Sequence, residues 1–310
     1  MLLHRLLMSA ILIPTTIILF VWDHQLGEKA PLLFVFVMLL ATRCVWELVT
    51  LGRVAGLRPS FAISLAGTWS MILLAWGPHV ESSWGMRFAR EKTIGIGLPL
   101  FGAIGVLLLV NAVFRYPRHD PVESADGVAT ASTGHIGREI STLGLEFLIV
   151  VYVGVFLALT TQLRWPAEYG YFALGALVVA AKCGDIGAYT FGRLIGGPKM
   201  TPKLSPGKTW AGSVGHLLTA GFCTTLWLCW LGPAISEQWR ARDVWGAAAF
   251  GVVVGFAGLI GDLAESLIKR DVGVKDAPAL LPGFGGLLDL MDSILLAGPV
   301  ALGMWIWLGH

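Results

Sequence analysis

Between Ser266 and Asp292 the chain sets three cations, Lys269, Arg270 and Lys275, and four carboxylates, Asp271, Asp276, Asp289 and Asp292, against strongly apolar segments. Charge beside hydrocarbon is costly and is kept where it has a task. Cations able to clamp phosphate, next to carboxylates able to hold a metal, point to phosphate and metal chemistry at a bilayer surface. Asp289 and Asp292 stand at i and i+3 where an apolar span begins, and two carboxylates a turn apart repel unless something positive lies between them. Hard oxygen donors without His or Cys nearby suit Mg²⁺, which takes one or two carboxylates together with substrate phosphates. The competing reading is two aspartates meeting water at a helix entrance. Just upstream, Asp262, Glu265, Ser266 and Lys269 fall at i, i+3, i+4 and i+7 and share one helix face. That face belongs to the same site, or it is the wet end of an amphipathic helix.

A second constellation begins at Lys182 and Asp185, one turn apart inside an apolar span, either as an internal ion pair that aids packing or as part of a ligand site. The span runs into a loop, residues 192–212, that carries Arg193, Lys199, Lys203 and Lys208 and no acid. Its Ser and Thr hydroxyls and glycine-flanked amides are the ingredients of an anion nest, against the simpler reading of a basic patch on acidic lipid. The order Ser205-Pro206-Gly207-Lys208-Thr209-Trp210 evokes a P-loop. The first glycine of that motif would fall at Pro202 and no strand is expected ahead of it, so a Walker A motif is rejected.

The elements that must position these groups are membrane helices. The chain is 55% hydrophobic and only 14% charged, with a mean hydropathy of +0.73, whereas a soluble domain carries about 25% charged residues. Apolar runs near 6–22, 31–51, 60–77, 94–114, 142–161, 171–191, 212–232, 244–262 and 287–308 predict an all-α polytopic membrane protein of about nine transmembrane helices. The first run lacks a cleavage pattern at Trp22-Asp23-His24-Gln25 and reads as a retained helix. Cys44, Cys183, Cys223 and Cys229 lie in apolar runs without metal-ligand spacing and read as packing residues. Lys and Arg favour the side that holds the N-terminus and the 192–211 and 263–286 loops, which is therefore expected to be cytoplasmic. Residues 1–115 read as a scaffold in contact with lipid, 116–141 as a mobile linker of low complexity, and 142–310 as a catalytic transmembrane domain. No internal repeat of the kind that builds transporters is evident.

The downstream order Ser266, Lys269-Arg270, Lys275-Asp276, Pro282-Gly283, Gly285-Gly286, Asp289 and Asp292 resembles the C-terminal signature of the phosphatidate cytidylyltransferases, also called CDP-diacylglycerol synthases. The upstream block Asp185-Ile186-Gly187-Ala188-Tyr189, Gly192-Arg193, Ser205-Pro206, Lys208-Thr209-Trp210 and Gly212 resembles the same family, so the likeness covers roughly residues 140–308. Phe284 stands where the family has His, Leu290 where it has Arg, and Ala211 where an acidic residue is usual. The resemblance implies transfer of the cytidylyl group of CTP to phosphatidate, giving CDP-diacylglycerol and pyrophosphate in phospholipid biosynthesis. It implies Mg²⁺ with a second cation, held by Asp289 and Asp292 with help from Asp262 and Asp185. Arg193, Ser205, Lys208 and Thr209 would then engage CTP phosphates, Ser266 would belong to the nucleotide site, and Lys269, Arg270 and Lys275 would clamp the lipid phosphate or the nucleotide.

The implied partners are CTP, phosphatidate, membrane lipid and a second copy in a homodimer, with no nucleic acid. The implied place is a bacterial cytoplasmic membrane with the site facing the cytoplasm. The alternatives are a CTP-dependent lipid kinase, a relative that binds nucleotide without turnover, for which Phe284 and Leu290 speak, and a transporter, for which Lys182 and Asp185 speak.

Overall fold

A chain that crosses hydrocarbon must satisfy its own backbone groups, so apolar runs of about 20 residues become helices. A computed structural model describes residues 2–27, 29–79, 90–115, 138–165, 171–235, 243–274 and 286–308. Seven helical stretches among them are long and apolar enough to cross a membrane: Pro31–Val54, Phe61–His79, Arg138–Arg164, Tyr171–Leu194, Trp210–Ala234, Val244–Asp271 and Leu287–Trp307. The protein is a helical multi-pass membrane protein. The two other expected spans, near 6–22 and 94–114, fall on helices α1 (Leu2–Gln25) and α4 (Arg90–Arg115). Of the expected linker, residues 138–141 form the first turn of a helix, and 116–137 lie outside the described residues.

The seven stretches contain α2 (Pro31–Val54), α3 (Phe61–Trp76), α5 (Arg138–Ile149) continued by a π-helical turn, Val150–Val155, and α6 (Phe156–Thr161), then α7 (Tyr171–Leu194), α8 (Trp210–Leu226), α10 (Val244–Asp271) and α11 (Leu287–Trp307). A short α9 (Gly232–Ile235) follows a second π-helical turn after α8. Helices α7, α8 and α10 pack on one another and α11 packs on α10, α7 and α6, while α3 packs on the α5–α6 segment and α2 packs on α3, α5 and α11. Leu48, Ile72, Leu177, Phe250, Leu288 and Leu295 are buried where these groups meet, and Phe250 and Trp305 meet edge to face at 5.7 Å. Trp245 and Trp307, 82% and 75% exposed, sit at the start of α10 and the end of α11, the amphipathic position that aromatic residues take at a membrane boundary.

Helix ends are closed by carboxylates from other helices. Asp23 of α1 accepts from Leu32 N at 2.6 Å and Leu33 N at 3.1 Å, and Glu146 of α5 accepts from Ser60 N at 2.6 Å. Each carboxylate satisfies orphan N–H donors that lipid could not.

The basic loop corrects one expectation. It contains two strands, β1 (Lys199–Thr201) and β2 (Ser205–Thr209), paired antiparallel with Thr201 opposite Ser205 and Lys199 opposite Thr209. A strand thus precedes the Gly-Lys-Thr triplet, but Gly207, Lys208 and Thr209 lie within β2 rather than in a loop cradling phosphate, so the Walker A motif stays rejected on geometry as well as on Pro202.

Candidate active site

The chain's turns bring the polar constellations to one end of the bundle. Asp185 lies in the second half of α7, which leads through the hairpin into α8; Asp262, Glu265, Ser266 and Lys269 lie toward the end of α10, and Asp289 and Asp292 in the first turns of α11. Two close approaches make this convergence possible. A methyl group on Gly184 would lie 2.5 Å from His216 Nε2, and one on Gly261 would lie 2.5 Å from the Asp292 carbonyl oxygen. Both are far inside van der Waals contact, so only glycine lets α7 meet α8 and α10 meet α11 here.

On the α7 side, Lys182 Nζ pairs with Asp185 Oδ2 at 3.3 Å, and the other oxygen of Asp185 lies 3.8 Å from His216 Nδ1. The opposite nitrogen of His216, Nε2, lies 2.9 Å from the Gly255 carbonyl oxygen of α10. This fully buried histidine ties α7, α8 and α10 together. Its only sequence signal is a His inside an apolar run, two turns after Thr209, and sequence reasoning passed over it.

The hairpin delivers Lys208, whose Nζ lies 2.8 Å from Asp262 Oδ2. Apart from this ion pair the ammonium is buried without a hydrogen-bond partner, so its donors remain open to an anion. Asp262, Asp185 and Lys182 are also the charged groups whose fields act on Asp292, and Asp292 accepts from Ser293 Oγ at 2.9 Å. Asp185, Asp262 and Asp292 therefore share one electrostatic neighbourhood, with Lys182 and Lys208 at its edge.

Asp289 looks elsewhere. Lys269 Nζ lies 2.6 Å from Asp289 Oδ1 and 2.6 Å from Glu265 Oε2, and Asp289 Oδ2 accepts from Gly286 N at 2.8 Å. The repulsion expected between Asp289 and Asp292 is thus relieved on the Asp289 side by a lysine from α10. Glu265 Oε1 is buried without a hydrogen-bond partner.

The remaining expected residues spread outward. Thr209 Oγ1 accepts from Gly212 N at 3.1 Å and caps α8, which gives its hydroxyl a structural task. Exposed Arg193 donates to the Tyr189 hydroxyl at 2.7 Å, and Arg270 bridges the end of α10 to the hairpin through Leu204 O at 3.4 Å. Ser205 opens β2 and Ser266 is half-buried beside Glu265. Lys275, Asp276 and the 282–285 segment with Phe284 lie outside the described residues.

Sequence reasoning also missed Glu47. Fully buried on α2, it accepts from Leu287 N at 2.9 Å and Leu288 N at 2.8 Å while pairing with Arg43 Nε at 2.9 Å. The helix that carries Asp289 and Asp292 therefore has its N-terminus filled by a carboxylate of the protein, and that terminus is not free to bind phosphate.

Among the described residues no group of three or more His, Cys, Asp or Glu side chains is arranged to hold a metal ion by itself. The donor chemistry nevertheless fits Mg²⁺, which relies on one or two carboxylates and completes its shell with water and substrate phosphates.

The sequence profile of the cytidylyltransferase family matches residues 3–307. Among curated relatives, phosphatidate cytidylyltransferase of Mycobacterium bovis is 33% identical over 215 residues, covering 66% of this chain and 64% of the relative. That of Mycobacterium leprae is 30% identical over 213 residues, covering 69% and 64%, and that of Brucella suis is 35% identical over 146 residues, covering 47% and 51%. The matched segments thus span less than two thirds of the length of these relatives.

Proposed function

The chain belongs to the cytidylyltransferase family, and from that premise we propose that it transfers the cytidylyl group of CTP to phosphatidate, releasing pyrophosphate and forming CDP-diacylglycerol. The observation that carries this reading is Lys208, a buried ammonium held 2.8 Å from Asp262 with its hydrogen-bond donors otherwise unfilled, at the junction of a basic hairpin and acidic helices. Such a group binds an incoming phosphate by exchanging one carboxylate for another anion.

The reaction joins two anions, so the residues chiefly neutralise and align. Lys208, with Ser205 and Arg193 on the flanks of the hairpin, receives the phosphates of CTP. Lys269, fixed between Glu265 and Asp289, faces the lipid phosphate together with Arg270, and Ser266 adds a hydroxyl on the same helix; the family resemblance assigns Lys275 to the same phosphate. No strong general base is required, because a phosphate monoester with its second pKa near ~6 is already ionised at neutral pH.

Asp262 and Asp292, with Asp185 beside them, are the residues we assign to Mg²⁺; Asp289 joins them only by releasing Lys269, and its role here is to hold that lysine. Bound at these carboxylates, the ion would neutralise phosphate charge and stabilise the leaving pyrophosphate. A second cation would need Asp289 freed in the same way.

The concentration of Lys and Arg on the hairpin side supports a cytoplasmic orientation, and the bacterial relatives support a bacterial cytoplasmic membrane; we propose a homodimer on the family resemblance alone. The test is incubation of the detergent-purified protein with CTP, phosphatidate and Mg²⁺. Pyrophosphate and a CDP-lipid are expected, with loss of both in Asp292→Asn. Production of CDP and a phosphorylated lipid alcohol would instead identify a lipid kinase, CTP binding without product a relative that has lost turnover, and solute flux without nucleotide a transporter.

A further inference from the structure

Tyr152 is a buried polar residue that neither the hairpin nor the acidic helices account for. It stands on the π-helical turn Val150–Val155, is 4% exposed, and has a hydroxyl without a hydrogen-bond partner. Buried tyrosine hydroxyls are as a rule paired, because an unpaired donor forfeits its bonds to water. The ionisable groups whose fields reach it are Asp292, Glu265, Cys44 and Asp262, with no cation among them. Three of the four are carboxylates, which in their ionised form only accept. One has an oxygen to spare: Glu265 Oε1 is buried and unpartnered, its Oε2 being taken by Lys269. An orphan donor thus stands among acceptors, one of them also an orphan.

The backbone fixes this placement. A π-helical turn shifts the residues it carries relative to a regular helix and is frequent at functional sites. Gly154 on the same turn lies so near α3 that a methyl group there would meet Thr68 Cα at 2.9 Å, so the turn cannot back away from the acidic helices' side of the bundle without losing its seat.

We infer that Tyr152 is a positioning residue of this site, whose hydroxyl donates a hydrogen bond to one buried water that in turn donates to the Glu265 and Asp292 carboxylates and so keeps the acids of α10 in register with those of α11. A single water is a suitable bridge where several polar partners surround it. The catalytic arm of the test rests on the proposed cytidylyl transfer; the stability arm does not.

The experiment compares full-length wild type, Tyr152→Phe and Thr224→Val in detergent. Thr224 is the control, a buried hydroxyl on α8 that also lacks a partner but lies outside the site. Tyr152→Phe is expected to lower kcat about 10- to 100-fold, as misplacement of a catalytic group does, with the KM for CTP within about twofold of wild type. It is also expected to unfold a few degrees lower, as loss of a hydrogen bond to a charged group implies, while Thr224→Val keeps the wild-type kcat. If wild type turns over, kcat decides: a Tyr152→Phe enzyme as fast as wild type overturns the inference, whatever its stability. If wild type is inert, cytidylyl transfer has failed as a reading and the unfolding midpoint decides instead. A fall then retains the hydrogen bond, and an equal or higher midpoint overturns it.

Discussion

Replacing Glu47 asks whether the first membrane helices only surround the site or hold it in register. Its carboxylate accepts two backbone N–H bonds from α11, at 2.9 and 2.8 Å, from a fully buried position. Hydrogen bonds to a charged group contribute about 1.5–3 kcal/mol each, and in Glu47→Ala both donors are left unpaired, so the loss is about 3–6 kcal/mol. Arg43 is partly exposed and adds little to that figure. Glu47→Gln keeps one acceptor oxygen and should lose roughly half as much. At about 2 °C or more per kcal/mol for a chain of this size, the alanine variant should unfold roughly 6–12 °C below wild type and the glutamine variant between the two. The assay is thermal unfolding of detergent-purified protein, followed by pyrophosphate release measured on the folded fraction. Because the freed turn carries Asp289 and Asp292, turnover should fall in step with stability. An alanine variant that melts with wild type and turns over normally would refute the argument that α2 anchors the acidic helix.

Lys269→Met leaves the carboxylates of Glu265 and Asp289 facing each other without the ammonium 2.6 Å from each; denaturation should show a loss of about 3–5 kcal/mol, the usual effect of orphaning a buried ion pair, with no measurable turnover. Gly184→Ala drives a methyl group to 2.5 Å from His216 Nε2, and the overpacking should cost about 1–3 kcal/mol in an unfolding experiment and separate α7 from α8. Thr209→Val removes the cap of α8 and should lose about 1 kcal/mol while leaving the KM for CTP unchanged; a large rise in KM would instead return the Thr209 hydroxyl to the phosphate-binding role that its motif suggests.

The charged residues in the apolar runs were legible because hydrocarbon tolerates so few of them. Asp185, Asp262, Lys269, Asp289 and Asp292 stand out from the sequence alone, and helical spacing by itself puts Asp262, Glu265 and Lys269 on one face. The hairpin was not legible. Its strands are three and five residues long and contain Pro206 and Gly207, residues that local propensity assigns to turns; the antiparallel pairing of the short segments overrides that preference. Glu47, His216 and Tyr152 were equally silent, His216 and Tyr152 as polar residues within apolar runs and Glu47 as one half of an i, i+4 pair with Arg43.

What the sequence determined by itself is that the chain must be a bundle of membrane helices with its charges gathered at a few loops and helix ends, because hydrophobicity and helical period are properties of neighbours in the chain. Only the tertiary structure decided who meets whom. It separated Asp289, turned to Lys269, from Asp292, turned to the fields of Asp185 and Asp262, although the two are three residues apart. It joined Glu47 to Leu287 across 240 residues. Pairings of that kind depend on which helices pack, and on glycines such as Gly184 and Gly261 that let them pack closely, and sequence separation carries no record of either.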